Sequence, residues 1–376
     1  MRMRNRGKNI WQLRWEVGRD DQGQRRQKTE TWHGNKKSAE HRWREVQAII
    51  EGHPATAWVT DDLTMAAYLD KWSTYLATTD LRPTTLASYR FYIRRYLQPS
   101  FGSLRLVQLT PLHLQEIVRQ WQTTPGQRGT LLARSTLRRM LIILQRALSQ
   151  AVQWEMIPTN RSRSLQIRAG SPPEMHWWTP AEAQKFLAVS DQHRLGVAFR
   201  LALFGGLRLG EVLGLQWSDI QWDQQILTIH HILTFLPGHA QYSLPKTAKS
   251  QRRIKVDDQI LPSLHARQHA QKLERLAKGW PATELIITTR KGTLCWPHTI
   301  NDILDRLIRR AGVPRIRFHD LRHTHATWLA QAGVNPKVIA DRLGHTRIGF
   351  TLDTYVHSDL ADQEKALQLL APFGPD

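Results

Sequence analysis

The sequence predicts an α+β fold that is mainly helical and carries small antiparallel β-sheets. Apolar residues recur at three-to-four spacing through residues 61–160, which is typical of packed helices. Residues 10–34 and 224–256 contain short runs that alternate in the manner of strands. A chain of 376 residues is long enough for two or three domains, each with its own core. We expect three domains and one linker, at residues 1–57, 58–164, 165–175 (the linker) and 176–376.

The first domain is predicted to be a small β-sheet backed by one helix. The runs IWQLRWEVGR and RRQKTETWHG are separated by the turn-rich DDQGQ, which favours a hairpin. A helix is expected from Ser38 to about Ile50, with Ala39, Trp43 and Val46 on its apolar face. A basic sheet of this kind suits DNA, because a two-stranded ribbon fits the major groove. The alternative is a sheet whose charges are only solvated.

The second domain is predicted to be a compact helical bundle. Its helices are expected in TMAAYLDKWSTYL, PTTLASYRFYIRRYLQPSFG, TPLHLQEIVRQW and RSTLRRMLIILQRALSQAVQWEMI. Thr110 followed by Pro111 predicts a capped helix start, and Pro99 and Pro158 are expected to mark helix ends. We interpret three tyrosines of the second helix as packing residues and its arginines as candidate phosphate contacts, namely Tyr89, Tyr92 and Tyr96, and Arg90, Arg94 and Arg95.

A linker and a new helix start precede the third domain. The stretch RSRSLQIRAGSPPE lacks a hydrophobic period and is rich in Arg, Ser and Pro, as linkers often are. Thr179, Pro180 and Glu182 then have the order expected at the beginning of a helix.

The chain is strongly basic, with 53 Lys and Arg against 32 Asp and Glu and a formal net charge of +21. This excess is interleaved with aromatic residues, and it favours a polyanionic partner over a basic surface without a role. The single cysteine, Cys295, excludes an internal disulfide framework and is expected to be a buried structural thiol. No apolar run approaches a membrane span, so we expect a soluble cytoplasmic protein.

Arg208 lies between two apolar segments in LALFGGLRLGEVLGL. Gly205 and Gly206 are expected to end one helix, and the next begins almost at once. An arginine at such a corner must pair with an acid or point into a cleft. Glu211, one helical turn later, is the obvious acid.

Lys246 follows the strand-like run QQILTIHHILTF. The stretches YSLPKT and RRIKV are expected to form a hairpin joined through AKSQ, with Lys246 at its mouth. Lys249, Arg252 and Arg253 follow closely, and basic residues in such a hairpin most often steer phosphates.

The segment RFHDLRHTHATWLAQAG concentrates nitrogen donors on one predicted helix, Phe318 to Gln331. His319 and Arg322 fall three residues apart on one face, with His323 nearby. Gly333 is expected to end this helix, Asn335 to cap the next, and Gly344 to end that one. His345 is thereby presented at a loop, and Tyr355 follows ten residues later.

Six positions of the third domain resemble, in order and spacing, the functional residues of the tyrosine recombinases, or phage-type integrases. They are Arg208, Lys246, His319 and Arg322 of HDLR, His345 of LGH, and Tyr355. The resemblance covers residues 176–360. It implies that the helical segment is a core-site DNA-binding domain and that the N-terminal sheet and helix form an arm-type DNA-binding domain.

The resemblance implies a site-specific recombinase that cleaves and rejoins DNA through a 3'-phosphotyrosyl intermediate, integrating or excising a phage or another mobile element. Arg208 and Arg322 suit the phosphate, because guanidinium groups stay charged and bind two oxygens. Tyr355 is the expected nucleophile and His319 its candidate base. Lys246 would protonate the leaving 5' oxygen, and His345 would donate to a nonbridging oxygen. No cofactor, metal or nucleotide is then required.

The expected partners are double-stranded DNA attachment sites, a homotetramer on that DNA, and an accessory DNA-bending or excision-directing protein. The recombinase itself is expected to associate with the nucleoid. The helix-prone tail LADQEKALQLLAPFG is expected to pack onto a neighbouring protomer.

Two other functions remain open from sequence. A metal-dependent nuclease would use His319 and His323, with His325 or His345, as zinc ligands. Arg208 and Arg322 argue against it, because they would place like charges beside the metal. We interpret His323 and His325 instead as helix-packing or solvent-facing imidazoles. The other alternative is a non-catalytic DNA-binding regulator with the same fold.

Overall fold

The computed structural model describes residues 2–7, 10–19, 25–36, 38–39, 43, 62–123, 125, 129–168, 176–243 and 251–345. The chain divides into two compact units, Met1–Pro172 and Pro173–Asp376. The described elements are mostly helices, accompanied by small antiparallel sheets, so the α+β prediction is confirmed. None of the described helices combines the length and hydrophobicity that crossing a bilayer requires.

The N-terminal sheet has three antiparallel strands in the order β1-β2-β3. They are β1 (Arg2–Gly7), β2 (Ile10–Arg19) and β3 (Arg25–His33). The predicted hairpin is β2–β3, with Trp11 opposite Trp32. Strand β1 was not predicted, because its run RMRNRG has too few apolar residues to show a period of two. Of the helix predicted from Ser38, Ser38, Ala39 and Trp43 are helical, and the rest lies outside the described residues.

A helical bundle forms the rest of the first unit. Its helices are α1 (Met65–Leu76), α2 (Pro83–Tyr92), a π-helical segment (Ile93–Leu97), α3 (Gln98–Phe101), α4 (Pro111–Thr123) and α5 (Arg134–Gln153). The predicted cap at Thr110 is present, since its hydroxyl accepts the His113 backbone N–H at 3.1 Å. Tyr89 is buried against Trp72, with ring centroids 5.9 Å apart, which confirms its packing role.

The prediction that Pro99 ends the second helix of the bundle is wrong. The chain stays helical to Phe101, and Pro99 is the second residue of α3. The π-helical segment before it shifts the hydrogen-bond register, and the Gln98 N–H donates to the Ile93 carbonyl five residues back. Because the wide turn changes which carbonyls the following N–H groups bond, the helix continues although Pro99 has no N–H to donate.

The first residues of the predicted linker pack onto the bundle. Leu165 and Ile167 are buried in its core. The Gln145 amide donates to the carbonyls of Ser162 and Leu165 at 3.0 and 3.2 Å. Two isolated apolar residues give no periodic signal, so the sequence did not reveal this contact. Residues 169–175 lie outside the described residues.

In the described part of the second unit, six helices surround a core that includes Trp178, Phe186, Phe199 and Leu321. They are α6 (Pro180–Ser190), α7 (Gly196–Gly205), α8 (Leu209–Gly214), α9 (Leu261–Lys278), α10 (Pro297–Ala311) and α11 (Phe318–Gln331), followed by α12 (Pro336–Leu343) beside a small apolar cluster. The start predicted at Thr179 carries a full capping box with Glu182. Cys295 is buried, as predicted.

Among residues 176–243 and 251–345, two small antiparallel sheets accompany these helices. The strands are β4 (Ile220–Gln221), β5 (Ile226–Ile229), β6 (Ile232–Leu236), β7 (His239–Ser243) and β8 (Arg252–Lys255). One sheet has the order β4-β5-β8, and the other is the hairpin β6–β7. Where the structure describes these runs, the predicted hairpin of YSLPKT with RRIKV is therefore wrong, and residues 244–250 lie outside the described residues. Tyr242 pairs with Leu233, and Ile254 pairs with Leu227, because the tight turn at Gly238 brings β7 back onto β6.

Candidate functional site

Arg208 lies at the corner between α7 and α8. Gly206 ends α7 in the left-handed conformation, with φ of +66°, and Arg208 occupies the cap of α8. Glu211 accepts the Arg208 backbone N–H at 2.8 Å and its guanidinium Nη1 at 2.9 Å. The predicted Arg208–Glu211 pair is therefore confirmed. The Arg208 side chain is still 36% exposed, so the pair leaves part of the guanidinium open to the surface.

Glu211 also binds Arg252, a partner that the sequence analysis missed. Both carboxylate oxygens accept from Arg252, at 3.0 and 2.9 Å, and Arg252 Nε donates to the Arg342 carbonyl at 2.6 Å. Burial alone would raise the pKa of Glu211, but the hydrogen bond and charge of Arg252, with the charge of Arg208, lower it to about 2. The alternation of β8 could have indicated this partner, because Arg252 lies on the same buried face of the strand as Ile254.

Arg322 connects the corner to the end of α12. Its side chain is almost fully buried, and it donates to the Gly206 carbonyl at 2.6 Å and to the Leu343 carbonyl at 2.5 Å. Arg208 Nη2 donates to the next carbonyl, that of Gly344, at 3.5 Å. The two predicted arginines thus bond consecutive carbonyls of one turn, although 114 positions separate them in the sequence.

His319 and His345 share the electrostatic surroundings of these arginines. His319 lies at the start of α11, and partial desolvation by its neighbours, together with the charges of His323, Arg322 and Arg208, lowers its pKa to about 4. His345 follows the left-handed Gly344, and burial with the charges of Arg322 and Arg208 lowers its pKa to about 3. Both rings are therefore neutral at pH 7 and can accept a proton or a hydrogen bond.

The other two histidines of α11 are buried. His325 Nδ1 donates to the Leu203 carbonyl at 2.9 Å, and Arg342 Nε donates to His325 Nε2 at 3.2 Å. His323 packs edge-on against His319, with ring centroids 4.8 Å apart. The packing interpretation of His325 is thus confirmed, and both of its nitrogens are engaged, which removes it as a metal ligand. The alternative zinc site gains no support from this arrangement.

The structure brings together Arg208, His319, Arg322 and His345 from three separate segments, since His319 and Arg322 share α11. Lys246 and Tyr355 lie outside the described residues. In the sequence, Lys246 follows the end of β7 at Ser243 by three residues, and Tyr355 follows His345 by ten. The arrangement offers two fixed cations beside two neutral imidazoles, which suits an anionic group that gains charge during a reaction.

Two family models match the chain. The model of the phage integrase family matches residues 176–361, and that of the phage integrase N-terminal SAM-like domain matches residues 64–122. A XerC-like tyrosine recombinase of Caldanaerobacter subterraneus subsp. tengcongensis is 25% identical over 97% of this chain and 96% of its own length. The ICEBs1 integrase of Bacillus subtilis is 26% identical over 76% of this chain and 77% of its own length.

Solved structures share the fold. The Tn1549 transposon integrase in complex with a circular intermediate DNA superposes with a TM-score of 0.70 at 20% identity, over 82% of this chain and all of that one. A lambda integrase tetramer bound to a Holliday junction superposes with a TM-score of 0.59 at 19% identity, over 95% of this chain and 97% of that one.

Proposed function

This chain belongs to the phage integrase family of tyrosine recombinases, and from this we infer that Arg208, Arg322, His319 and His345 surround the phosphate at which it cuts DNA. It is a site-specific recombinase of mobile-element DNA, as its integrase relatives are. The observation that carries the assignment is the meeting of Arg208 and Arg322 at consecutive carbonyls of the turn that presents His345.

Charge development explains why such a site accelerates strand cleavage. The reaction passes through a five-coordinate phosphorus whose nonbridging oxygens gain negative charge. Fixed guanidinium groups stabilise that charge more than they stabilise the starting diester. Because Arg208 is held by Glu211 and Arg322 by backbone carbonyls, neither needs to reorganise when the charge appears.

We propose that Tyr355 is the nucleophile. Its oxygen bonds to phosphorus, the bond from phosphorus to the 5' oxygen breaks, and a 3'-phosphotyrosyl linkage results. The tyrosyl proton passes to His319, and Lys246 supplies a proton to the leaving 5' oxygen. His345 donates to a nonbridging oxygen. Attack by another strand's 5'-hydroxyl reverses these transfers, so the broken linkage's energy is kept and joining needs no cofactor.

The low pKa of His319 fits this role once DNA is bound. In the free protein desolvation, together with the neighbouring cations, keeps the ring neutral and therefore able to accept a proton. A bound phosphodiester places negative charge beside the ring, and this raises its pKa and strengthens it as a base. The same charge compensates Arg208 and Arg322.

We propose that the protein acts as a homotetramer on double-stranded attachment sites. A structure in the same fold family is a tetramer bound to a Holliday junction, and the net charge of +21 supports a DNA partner. In this proposal residues 1–57 bind arm-type sites, residues 58–164 bind the core site, residues 165–175 link them to the catalytic domain, and an accessory DNA-bending protein assists excision.

Covalent capture of DNA tests the function. Sites are selected from a random DNA pool by binding to the full-length Tyr355→Phe variant, and nicked duplexes of the selected sequence are then offered to each protein. Wild type and the control Tyr242→Phe are expected to form a covalent complex. Mass spectrometry of this complex is expected to identify Tyr355 as the residue linked to DNA. Tyr355→Phe is expected to bind without linking. Capture by Tyr355→Phe would refute the nucleophile, and linkage of neither wild type nor control would refute the function.

A further inference from the structure

Asp219 has a buried oxygen that its surroundings leave unsatisfied. It closes the 3₁₀ turn Trp217–Asp219 after α8, and only 4% of the residue is exposed. One oxygen, Oδ2, accepts the Gln216 backbone N–H at 2.8 Å. The other, Oδ1, accepts no hydrogen bond from the part of the chain that the structure describes. An orphaned buried carboxylate oxygen is costly, so a cation at this position would stabilise the turn.

Two histidines face this carboxylate. Within a strand, consecutive side chains point to opposite faces, but His230 and His231 occupy the two-residue break between β5 and β6. His230 Nδ1 lies 3.3 Å from Asp219 Oδ1, and His231 Nε2 lies 3.9 Å from Oδ2. The break therefore turns both imidazoles towards the same acid.

The spacing of these three groups fits a metal ion. One ligand atom from each side chain lies within 4.8 Å of the other two. Ligands about 2.0–2.1 Å from a tetrahedral zinc ion stand about 3.4 Å apart, close to the 3.3 Å between His230 Nδ1 and Asp219 Oδ1. We propose that Asp219, His230 and His231 bind a divalent transition metal of the zinc class.

The surroundings complete such a site. His230 is half exposed, which leaves a fourth position open to water. His231 Nε2 lies 2.8 Å from the Gly214 carbonyl, and its ring packs edge-on against Tyr242 at 5.0 Å, so its orientation is fixed. Because Nε2 is also the His231 nitrogen that faces Asp219, metal binding through it would replace the hydrogen bond to this carbonyl.

The metal would join two parts of the recombinase. Asp219 follows α8, which Arg208 caps, and His231 leads directly into the hairpin β6–β7. This hairpin ends at Ser243, three residues before Lys246. The site itself rests on the geometry of its three ligands and not on the assignment of the catalytic residues.

Metal binding to the full-length, tag-free protein tests the proposal. After chelator treatment, zinc and then cobalt are titrated into wild type, into His230→Ala/His231→Ala, and into His239→Ala/His269→Ala, a control that removes two exposed histidines outside the site. Wild type and control are expected to bind one equivalent more than the site variant, with a tetrahedral cobalt spectrum. Equal stoichiometry in all three proteins, or no binding by wild type, would overturn the proposal.

A second measurement separates metal binding from misfolding. Asp219→Asn keeps an oxygen for the Gln216 N–H but loses the charge, and its metal-free melting temperature reports whether it folds. Zinc is expected to raise the melting temperature of wild type by several degrees and that of Asp219→Asn by much less, since losing a ligand weakens binding by at least about 10- to 100-fold. Magnesium, which prefers oxygen ligands, is expected to have no effect. The same zinc-induced rise in both proteins would refute the site.

Discussion

Arg252 donates to both carboxylate oxygens of Glu211, at 3.0 and 2.9 Å, while Glu211 also binds the side chain of Arg208 at 2.9 Å. The acid therefore separates two cations that would otherwise repel each other. Glu211 is 2% exposed, so its charge acts where water does little to screen it. One buried carboxylate thus holds Arg208 in place and compensates it.

Replacing Glu211 with Gln is expected to destabilise the protein by about 3–5 kcal/mol, because it removes the buried charge that compensates Arg252 and Arg208. The measurement is the free energy of unfolding in urea. Asp191→Asn, which removes the more exposed partner of Arg200, serves as the control and is expected to cost about 1 kcal/mol or less. Equal effects of the two substitutions would contradict the bridging role of Glu211.

Acid is expected to remove the contribution of Glu211. Its pKa is about 2 in the folded protein, against an ordinary value of 4.5. A lowered carboxyl pKa stabilises the fold above pH 4.5, and this stabilisation is lost as the pH falls towards 2. The stability difference between wild type and Glu211→Gln should therefore be largest above pH 4.5 and shrink below it. A difference that does not change with pH would show that Glu211 acts through its shape alone.

Arg208→Lys is expected to slow covalent DNA capture by about 10²- to 10³-fold while leaving DNA affinity nearly unchanged. Lysine keeps the charge but not the planar pair of donors that binds two oxygens. Single-turnover capture and a gel-shift titration measure the two properties separately. Arg200→Lys, on the same unit but paired with Asp191, is the control and should capture DNA at the wild-type rate. A parallel loss of affinity and rate would place Arg208 in binding rather than in the reaction.

His319 is expected to remain neutral down to about pH 4 in the free protein. Its ring carbon proton should therefore show no titration near pH 6.5 in nuclear magnetic resonance spectra, with His319→Gln providing the assignment. Arg208→Ala should move the transition to higher pH, because one of the cations that lower the pKa is then absent. An ordinary titration near pH 6.5 in wild type would show that the arginines do not act on this ring.

Gly206→Ala is expected to destabilise the corner by about 1–3 kcal/mol. Its φ of +66° is unfavourable for alanine, and the added Cβ would lie 2.8 Å from a methyl of Leu343 and 2.9 Å from the His325 ring. Gly238→Ala is a matched control, because its φ is +82° but no atom lies within 4 Å of the added Cβ. The melting temperature is expected to fall more for Gly206→Ala than for Gly238→Ala, and the difference measures the cost of the contacts with Leu343 and His325. Equal losses would show that only backbone strain matters.

Local signals in the sequence predicted much of the site. The helix Phe318–Gln331 was predicted at its observed bounds, because hydrophobic spacing and the stop near Gly333 agree. Asn335 and Gly344 likewise cap and end α12 as predicted. These residues act on their immediate neighbours, so their effect does not depend on the rest of the fold.

Pairings between distant segments were harder to predict. The pairing of β7 with β6 rather than β8 depends on which strand the fold places alongside it, and several short runs of similar composition compete. The bond from Arg252 to Glu211 spans 41 positions and needs the pairing of β8 with β5. The prediction that Pro99 ends a helix failed for another reason. A π-helical turn compensates locally for a residue that usually ends helices.

The contacts of Arg322 have a consequence for how the protein can vary. Arg322 bonds the main-chain oxygens of positions 206 and 343, and every amino acid supplies such an oxygen. Exchanging Leu343 for another apolar residue of similar volume would leave that bond intact. Inserting or deleting a single residue in α12 would rotate its last carbonyls by about 100° and remove it. The length of this helix, more than its composition, therefore constrains which descendants of this sequence remain active.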